Sequence, residues 1–335
     1  MSDRKISKAF VTGADGFIGS HLVERLLHEG IAVKALAQYN SFGWRGWLDD
    51  IKPELLSGIE IVLGDVRDQS FMSEAIKGCD TVFHLAALIG IPYSYRAVES
   101  YVEVNVTGTV NVLQAARANQ VERVVHTSTS EVYGSAQFVP MTEEHPLNAQ
   151  SPYAASKIGA DQFALSYHKS FETPVVVVRP FNNFGPRQST RAIIPTIISQ
   201  FLSKQEFVRV GALTPTRDFV FVRDTARAFL RAALASEVVG QVVNVGSNFE
   251  ISVSEIIKSV SKLTGRELRI ETEEQRVRPA GSEVTRLWAD NSKALKLLNW
   301  APEYGGLEGF QRGLAESMAW YRERDNESAS LQYGV

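Results

Sequence analysis

A single cysteine, Cys79, stands among 335 residues. That count excludes an internal disulfide framework and fits a reducing compartment. No apolar run approaches the roughly 20 residues that span a bilayer. The opening MSDRKISKAFVTG carries charge and then enters a short apolar strand, without the long apolar segment of a secretory leader. Net charge is only −3, from 35 Lys+Arg and 38 Asp+Glu, so neither nucleic acid nor an anionic membrane is expected as a partner. Internal repeats, low-complexity blocks and long linkers are missing too, and no metal is called for. With 44% hydrophobic and 22% charged residues, the composition is that of a soluble globular protein, expected in the cytoplasm. The length accommodates one large α/β domain or two smaller ones.

The first half alternates two periodicities. KAFVTG, IAVKALA, IEIVLGD, DTVFHLAA, VERVVHTST and PVVVVRP read as strands. SHLVERLLHEG, SFMSEAIKG, VNVTGTVNVLQAARANQ and YAASKIGADQFALSYHKSF read as helices. Such alternation predicts an α/β protein with a doubly wound parallel sheet of the Rossmann type, covered on both faces. After Pro180 the pattern loosens. NNFGPRQST reads as a loop, AIIPTIISQFLSK as a helix, FVFVRDTARAFLRAALAS as a strand and helix, and QVVNVGS as a strand returning to the sheet. ISVSEIIKSVSKLTG and the tail from NSKALKLLNW onward read as helical. The expected organisation is a dinucleotide-binding domain over residues 1–180, with a returning segment at about 219–247. Residues 181–218 and 248–325 would form a smaller C-terminal substrate-binding lobe, and residues after Asn326 are expected to fray.

VTGADGFIGSH sets Gly13, Gly16 and Gly19 directly after the first strand, where a helix opens. Glycines there permit a tight turn and close approach of backbone to a pyrophosphate, while the helix N-terminus offers free N–H groups. Gly13, Gly16, Phe17, Ile18 and Gly19 are therefore expected to hold a dinucleotide. GDV is expected to set Asp65 and Val66 beside its adenine, and the small-residue strand end HLAA to let it lie against Leu85, Ala86 and Ala87. An acid at the end of the second strand, the usual partner of the ribose hydroxyls, is missing. VKALAQYN has Ala37 in its place, and Arg45 is the first arginine after it. NAD is the expected cofactor, with NADP left open.

YAASK spaces Tyr153 and Lys157 four residues apart, on one face of a helix. A lysine beside a phenol favours the phenolate, so the tyrosine pKa is expected to fall from about 10 towards working pH. The result would be a base for an alcohol proton, with Lys157 also able to hold the nicotinamide ribose.

TGADGFIG, HLAA, STSEVYG and Tyr153-x-x-x-Lys157, in this order, resemble the extended short-chain dehydrogenase/reductase family that works on nucleotide sugars. The resemblance covers about residues 8 to 322. It implies that Thr129 hydrogen-bonds the sugar 4-hydroxyl and that Tyr153 takes its proton as hydride leaves C4. Ser130 and Glu131 follow the threonine, as in 4,6-dehydratases and some UDP-glucuronate decarboxylases. The chemistry gives the carboxylate a use. Once C4 is a ketone the C5 proton turns acidic, and Glu131 can remove it and then protonate the departing 6-hydroxyl. Many dehydratases have Asp where this chain has Ser130, and Ser130 is expected among the catalytic residues with Thr129, Glu131, Tyr153 and Lys157. On the substrate side, the resemblance implies Asn182 and Arg187 in RPFNNFGPRQ, Arg217 in TRDFVFVRD and Arg278 in RVRPAGSEVTR as phosphate or nucleotide contacts. Arginine suits that task through its bidentate fork. Tyr93 would line the sugar pocket within residues 91–95.

LIGIPYSY, GSAQFVPMTEEHPL, GALTPTRDF, SEVTRLWADNSKA and PEYGGLEGF are similar to the branch that dehydrates an N-acetylglucosamine nucleotide in legionaminic acid synthesis. The implied activity is a nucleotide-sugar 4,6-dehydratase acting on UDP- or GDP-N-acetylglucosamine for cell-surface glycans. The competing enzymatic expectations are a UDP-glucuronate decarboxylase, with Arg187 or Arg191 facing the carboxylate, and a 4-epimerase, which would leave Glu131 without a task. A variant that stops at the 5,6-unsaturated sugar is not separable by sequence. An inactive NAD(P)-sensing regulator is the expectation of another class, opposed by the presence together of Thr129, Tyr153 and Lys157. The helices around 99–117 and 153–171 resemble those that pair as a four-helix bundle in family homodimers.

Overall fold

In the computed structural model, which describes residues 3–273 and 279–325, the apolar runs become strands and the amphipathic ones helices. In chain order the first half runs β1 (Lys8–Thr12), α1 (Phe17–His28), β2 (Ala32–Gln38), β3 (Ile59–Gly64), α2 (Gln69–Ala75), β4 (Thr81–His84), α3 (Ile91–Ser94), α4 (Val98–Tyr101), α5 (Gly108–Ala118), β5 (Arg123–Thr127), α6 (Pro152–Phe171) and β6 (Val175–Pro180). The second half runs β7 (Asn182–Phe184), α7 (Ile193–Leu202), β8 (Phe207–Val210), β9 (Thr216–Phe221), α8 (Val222–Leu234), β10 (Val242–Val245), β11 (Glu250–Ser252), α9 (Val253–Thr264), β12 (Arg269–Thr272), β13 (Arg286–Leu287), α10 (Ser292–Leu298) and α11 (Gly306–Asp325).

Seven strands form one sheet in the order β10-β6-β5-β4-β1-β2-β3, and each neighbouring pair is parallel. Burial explains the composition. β6 buries every residue of VVVVRP, as a strand covered on both faces must. In β1 successive side chains part to opposite faces. Ala9 and Val11 join Leu22, Leu26 and Phe229 of α1 and α8, while Phe10 joins Val112 of α5 and Ala164 of α6. The strand order reverses between β1 and β4, so the connections on either side diverge and open a crevice at the carboxyl ends, the place where such sheets take ligands.

A second sheet has the order β11-β9-β13, with β7 on β9, and β12 pairs with β8. Its core is aromatic: the Phe184 ring lies 5.1 Å from Phe310 and 5.4 Å from Phe221. Three local expectations differ from the structure. NNF, expected in a loop, is strand β7, because its extended backbone finds partners only in the distant β9. FVFV also pairs in this second sheet, so what lies on the large sheet within 219–247 is α8 and β10. The helix expected from residue 104 starts earlier, as α4, and passes through a π-helical stretch at Val102–Thr107 before α5.

Candidate active site

One cleft of about 1560 Å³ runs over the carboxyl ends of the central strands and under the second lobe. A single small-molecule site is typically about 300–1,000 Å³, so the space suits two ligands lying end to end.

The glycine loop forms one end. Gly13 has φ +64, and a Cβ there would come within 2.8 Å of the Ala86 amide nitrogen. Glycine is thus required both for the turn and for the approach of the loop after β4. That loop is tied down by the Thr12 hydroxyl, which accepts from the Leu85 and Ala86 amides at 3.1 and 3.0 Å. At Gly16 an added Cβ would meet only the Gly13 carbonyl, at 3.3 Å, so the face turned to the cleft is open. α1 begins there with no side-chain cap and no acid in its first turn. Its first amides and partial positive charge are therefore available to an anion. Phe17, Ile18 and Gly19 line the same wall, as do Asp65, Val66, Leu85, Ala86 and Ala87. These residues fit a dinucleotide, pyrophosphate at the helix start. The Asp65 carboxylate is already engaged: it accepts from Arg67 Nη2 at 2.7 Å, and that guanidinium holds it below the usual carboxylate range.

The catalytic cluster sits midway along. Ser151 caps α6 by accepting from the Ala154 amide at 3.1 Å, with Pro152 at the first turn. This cap starts the helix where Tyr153 and Lys157 both reach the cleft. Lys157 Nζ donates to the Thr127 carbonyl at 2.6 Å, and burial lowers its pKa to about 8, against the pull of Asp161. Two residues past the end of β5, Thr129 is still extended, and its hydroxyl accepts from the Glu131 amide at 3.2 Å. The same hydroxyl lies close enough to the Tyr153 phenol to draw its pKa down. Glu131 lies on the cleft wall, 8% exposed.

Two expectations are corrected here. Tyr153 is pushed above the ordinary tyrosine pKa, not below it: burial is the main cause, Glu131 adds repulsion, and the Thr129 hydroxyl pulls back only in part. Lys157, committed to a backbone carbonyl, does not offset this. Ser130 is buried and is absent from the cleft wall. The chain turns into a 3₁₀ segment at Ser130–Tyr133, whose three residues per turn send neighbouring side chains about 120° apart, so Glu131 faces the cleft and Ser130 does not.

On the substrate side Tyr93, Asn182, Arg187 and Arg217 all line the cleft. Asn182 Oδ1 is buried without a hydrogen-bond partner, which leaves an acceptor for a ligand. Arg187 is held bidentately by Glu24 of α1, at 2.7 and 3.1 Å. Arg217 bonds the Thr216 carbonyl at 3.0 Å and Glu283 at 3.3 Å. Arg278 lies outside the described residues. Arg96 and Arg191 also line the cleft, and neither side chain has an ion-pair partner among the described residues.

Several contributors escaped the sequence reading. Asn105, in the π-helical stretch, bonds both the amide and carbonyl of Leu88 (2.8 and 2.9 Å) and the hydroxyl of Ser156 (2.9 Å). It thereby pins the sugar-side loop to α6 beside Lys157. Asp161, fully buried, accepts from Ser128 at 2.7 Å and from Arg179 at 3.0 and 3.2 Å, with His126 at 3.3 Å. A carboxylate four residues after Lys157 was the available signal. Trp47 and α11 residues Trp320 and Arg324 close the cleft from above, Arg324 lying 5.1 and 4.9 Å over the two indoles.

The profile of the GDP-mannose 4,6 dehydratase family matches residues 10–313. A dTDP-glucose 4,6-dehydratase of Actinoplanes sp. is 33% identical, over 94% of this chain and 98% of its own length. A UDP-N-acetyl-alpha-D-glucosaminuronate decarboxylase of Bacillus cytotoxicus is 31% identical, over 96% and 99%. The crystal structure of UDP-glucuronic acid 4-epimerase from Bacillus cereus, in complex with UDP-glucuronic acid and NAD, superposes with a TM-score of 0.85 at 28% identity, covering 94% of this chain and 99% of that one.

Proposed function

The chain belongs to the GDP-mannose 4,6 dehydratase family, and on that premise we propose that it is a nucleotide-sugar 4,6-dehydratase. The cofactor is NAD, which the structurally similar epimerase binds and which the open glycine loop and uncapped helix start of this chain fit. The observation that carries the dehydratase reading is Glu131: a carboxylate buried on the cleft wall, close enough to Tyr153 to raise its pKa. Oxidation and re-reduction at C4 need a single base, and epimerisation would leave this acid unused.

Held by the glycine loop and the α1 start, NAD would supply a hydride acceptor for C4, a hydride donor for C6 and the positive charge of its oxidised ring. Thr129 and Tyr153, neighbours on the cleft wall, bracket the sugar 4-hydroxyl, and Tyr153 takes its proton. With C4 a ketone, Glu131 removes the C5 proton. The same carboxyl then delivers a proton to the 6-hydroxyl, which leaves as water. Reprotonation at C5 completes the change, so overall the sugar loses one water and no outside reductant is consumed. Asn182 and Arg217 hold the diphosphate, and Tyr93 lines the sugar side. The substrate supported by the resemblance to legionaminic acid enzymes is UDP- or GDP-N-acetylglucosamine, made into a 4-keto-6-deoxy sugar for surface glycans. The protein acts as a homodimer paired through α5 and α6.

A second reading, uronate decarboxylation, is favoured by one feature: Arg96 and Arg191 stand on the cleft wall without carboxylate partners among the described residues. A panel of UDP- and GDP-N-acetylglucosamine, UDP-glucuronate and GDP-mannose, followed by mass, separates the two by loss of water or of carbon dioxide. For the mechanism, Glu131→Gln is expected to retain transient reduced-cofactor absorbance while slowing solvent deuterium uptake at C5 by about 100-fold or more. Uptake at the wild-type rate in that variant would remove Glu131 from the elimination.

A further inference from the structure

Asp15 lies between the first two glycines of the loop, and the fold brings it to the end of β2. Its Oδ2 accepts the backbone N–H of Gln38 at 3.1 Å, and Gln38 is the last residue of β2. A dinucleotide fold ordinarily has its ribose-binding acid at this strand end. Here Ala37 is sealed in the core, whereas Asp15, Leu36 and Gln38 share the cleft wall. The Asp15 backbone is fixed as well. Its carbonyl accepts the Trp47 N–H at 3.0 Å, and a Cβ on Gly46 would sit 2.4 Å from that oxygen. An ionised carboxylate offers about four lone-pair sites, so the Gln38 contact leaves acceptor capacity at the cleft surface.

We propose that Asp15 takes over the task of the missing strand-end acid: it accepts the hydroxyls of the adenosine ribose and its charge rejects a 2′-phosphate, making the cleft selective for NAD over NADP. The inference rests on the NAD reading above. The surrounding cations agree with it. Arg45 is paired with Asp49 at 2.6 Å and Lys34 with Glu60 at 3.3 Å. Arg324, the cleft-lining cation that stacks on Trp47, is bonded to Asp50. Among the described residues no unpaired guanidinium stands at this end to receive a phosphate, which carries about −1.5 to −2 charges.

Asp15→Asn tests the proposal, since an amide oxygen still accepts from Gln38 while the charge is gone. NAD⁺ and NADP⁺ are titrated separately by calorimetry into the full-length wild type and variant. The wild type is expected to prefer NAD⁺ by about 100-fold or more, and Asp15→Asn to narrow that ratio by at least about tenfold. If the asparagine variant does not fold, Asp15→Ser, which also keeps an acceptor, is expected to narrow it similarly. A wild-type ratio near one, or a variant ratio within about threefold of the wild type, overturns the assignment while leaving NAD binding intact. Failure of both nucleotides to bind the wild type overturns the cofactor reading along with it.

Discussion

Tyr153 and Lys157 were legible from spacing alone, because a helix sets residues four apart on one face. Their protonation was not. A phenol packed beside Tyr101, Leu88 and Ile91 loses hydration that its charged form needs, and desolvation outweighs a lysine engaged elsewhere. Tyr153 therefore stays protonated until a bound cation compensates. On this account Tyr153→Phe removes the group assigned to take the 4-hydroxyl proton while barely changing the packing. It is expected to abolish the oxidation half-reaction by about 100-fold or more, read as the rise of reduced-cofactor absorbance on mixing with substrate in stopped flow. An undiminished rise would transfer the base to another residue. Ser130 shows the opposite limit of legibility: adjacent in sequence to two cleft residues, it is excluded by the direction of one 3₁₀ turn.

At the scale of elements, the structure adds a Ser151 cap and a first-turn Pro152 to α6, a helix whose existence was readable in YAASKIGADQFALSYHKSF. The π-helical stretch at Val102–Thr107 was not, because its register is set by contacts distant in sequence. One is the fit of Val106 against Gly159 of α6, where a Cβ would come 3.4 Å from the valine methyl. Along these paired helices Val98, Val102 and Phe163 are 47%, 49% and 42% exposed, an apolar strip whose burial the proposed dimer would provide. Placing a charge in such a strip costs desolvation without a partner. Phe163→Glu is accordingly expected to convert a dimer to a monomer in light scattering after size exclusion, with the far-ultraviolet spectrum unchanged. A wild type that is already monomeric, or a variant that remains dimeric, would discard α6 as the interface.

For the whole molecule, buried histidines link stability to pH. Burial, with Arg187 next in effect, lowers His21 from 6.5 to about 4, and burial lowers His84 and His126 too. Each folded-state value lies below the unfolded one, so the unfolded chain binds more protons and stability falls as pH drops below about 6.5. Asp218, raised to about 6 by burial, acts in the opposite sense between its ordinary value and 6, so a single substitution reads the effect more cleanly than the wild type alone. His21→Gln is expected to lose about 2 kcal/mol of the stability change between pH 7 and pH 5, measured as a smaller fall in Tm over that interval than in the wild type. Parallel Tm curves for the two proteins would contradict the assignment. What the sequence by itself determined was whatever depends on neighbours along the chain: the strand–helix alternation, the glycine turn, the α6 helix and the delivery of Thr129 and Glu131 to a strand tip. The tertiary structure alone decided which of those side chains share a cleft, how far burial moves their proton affinities, and that Asp15 meets the end of β2. Such contacts join residues distant in sequence, and desolvation is a property of the surroundings rather than of the residue.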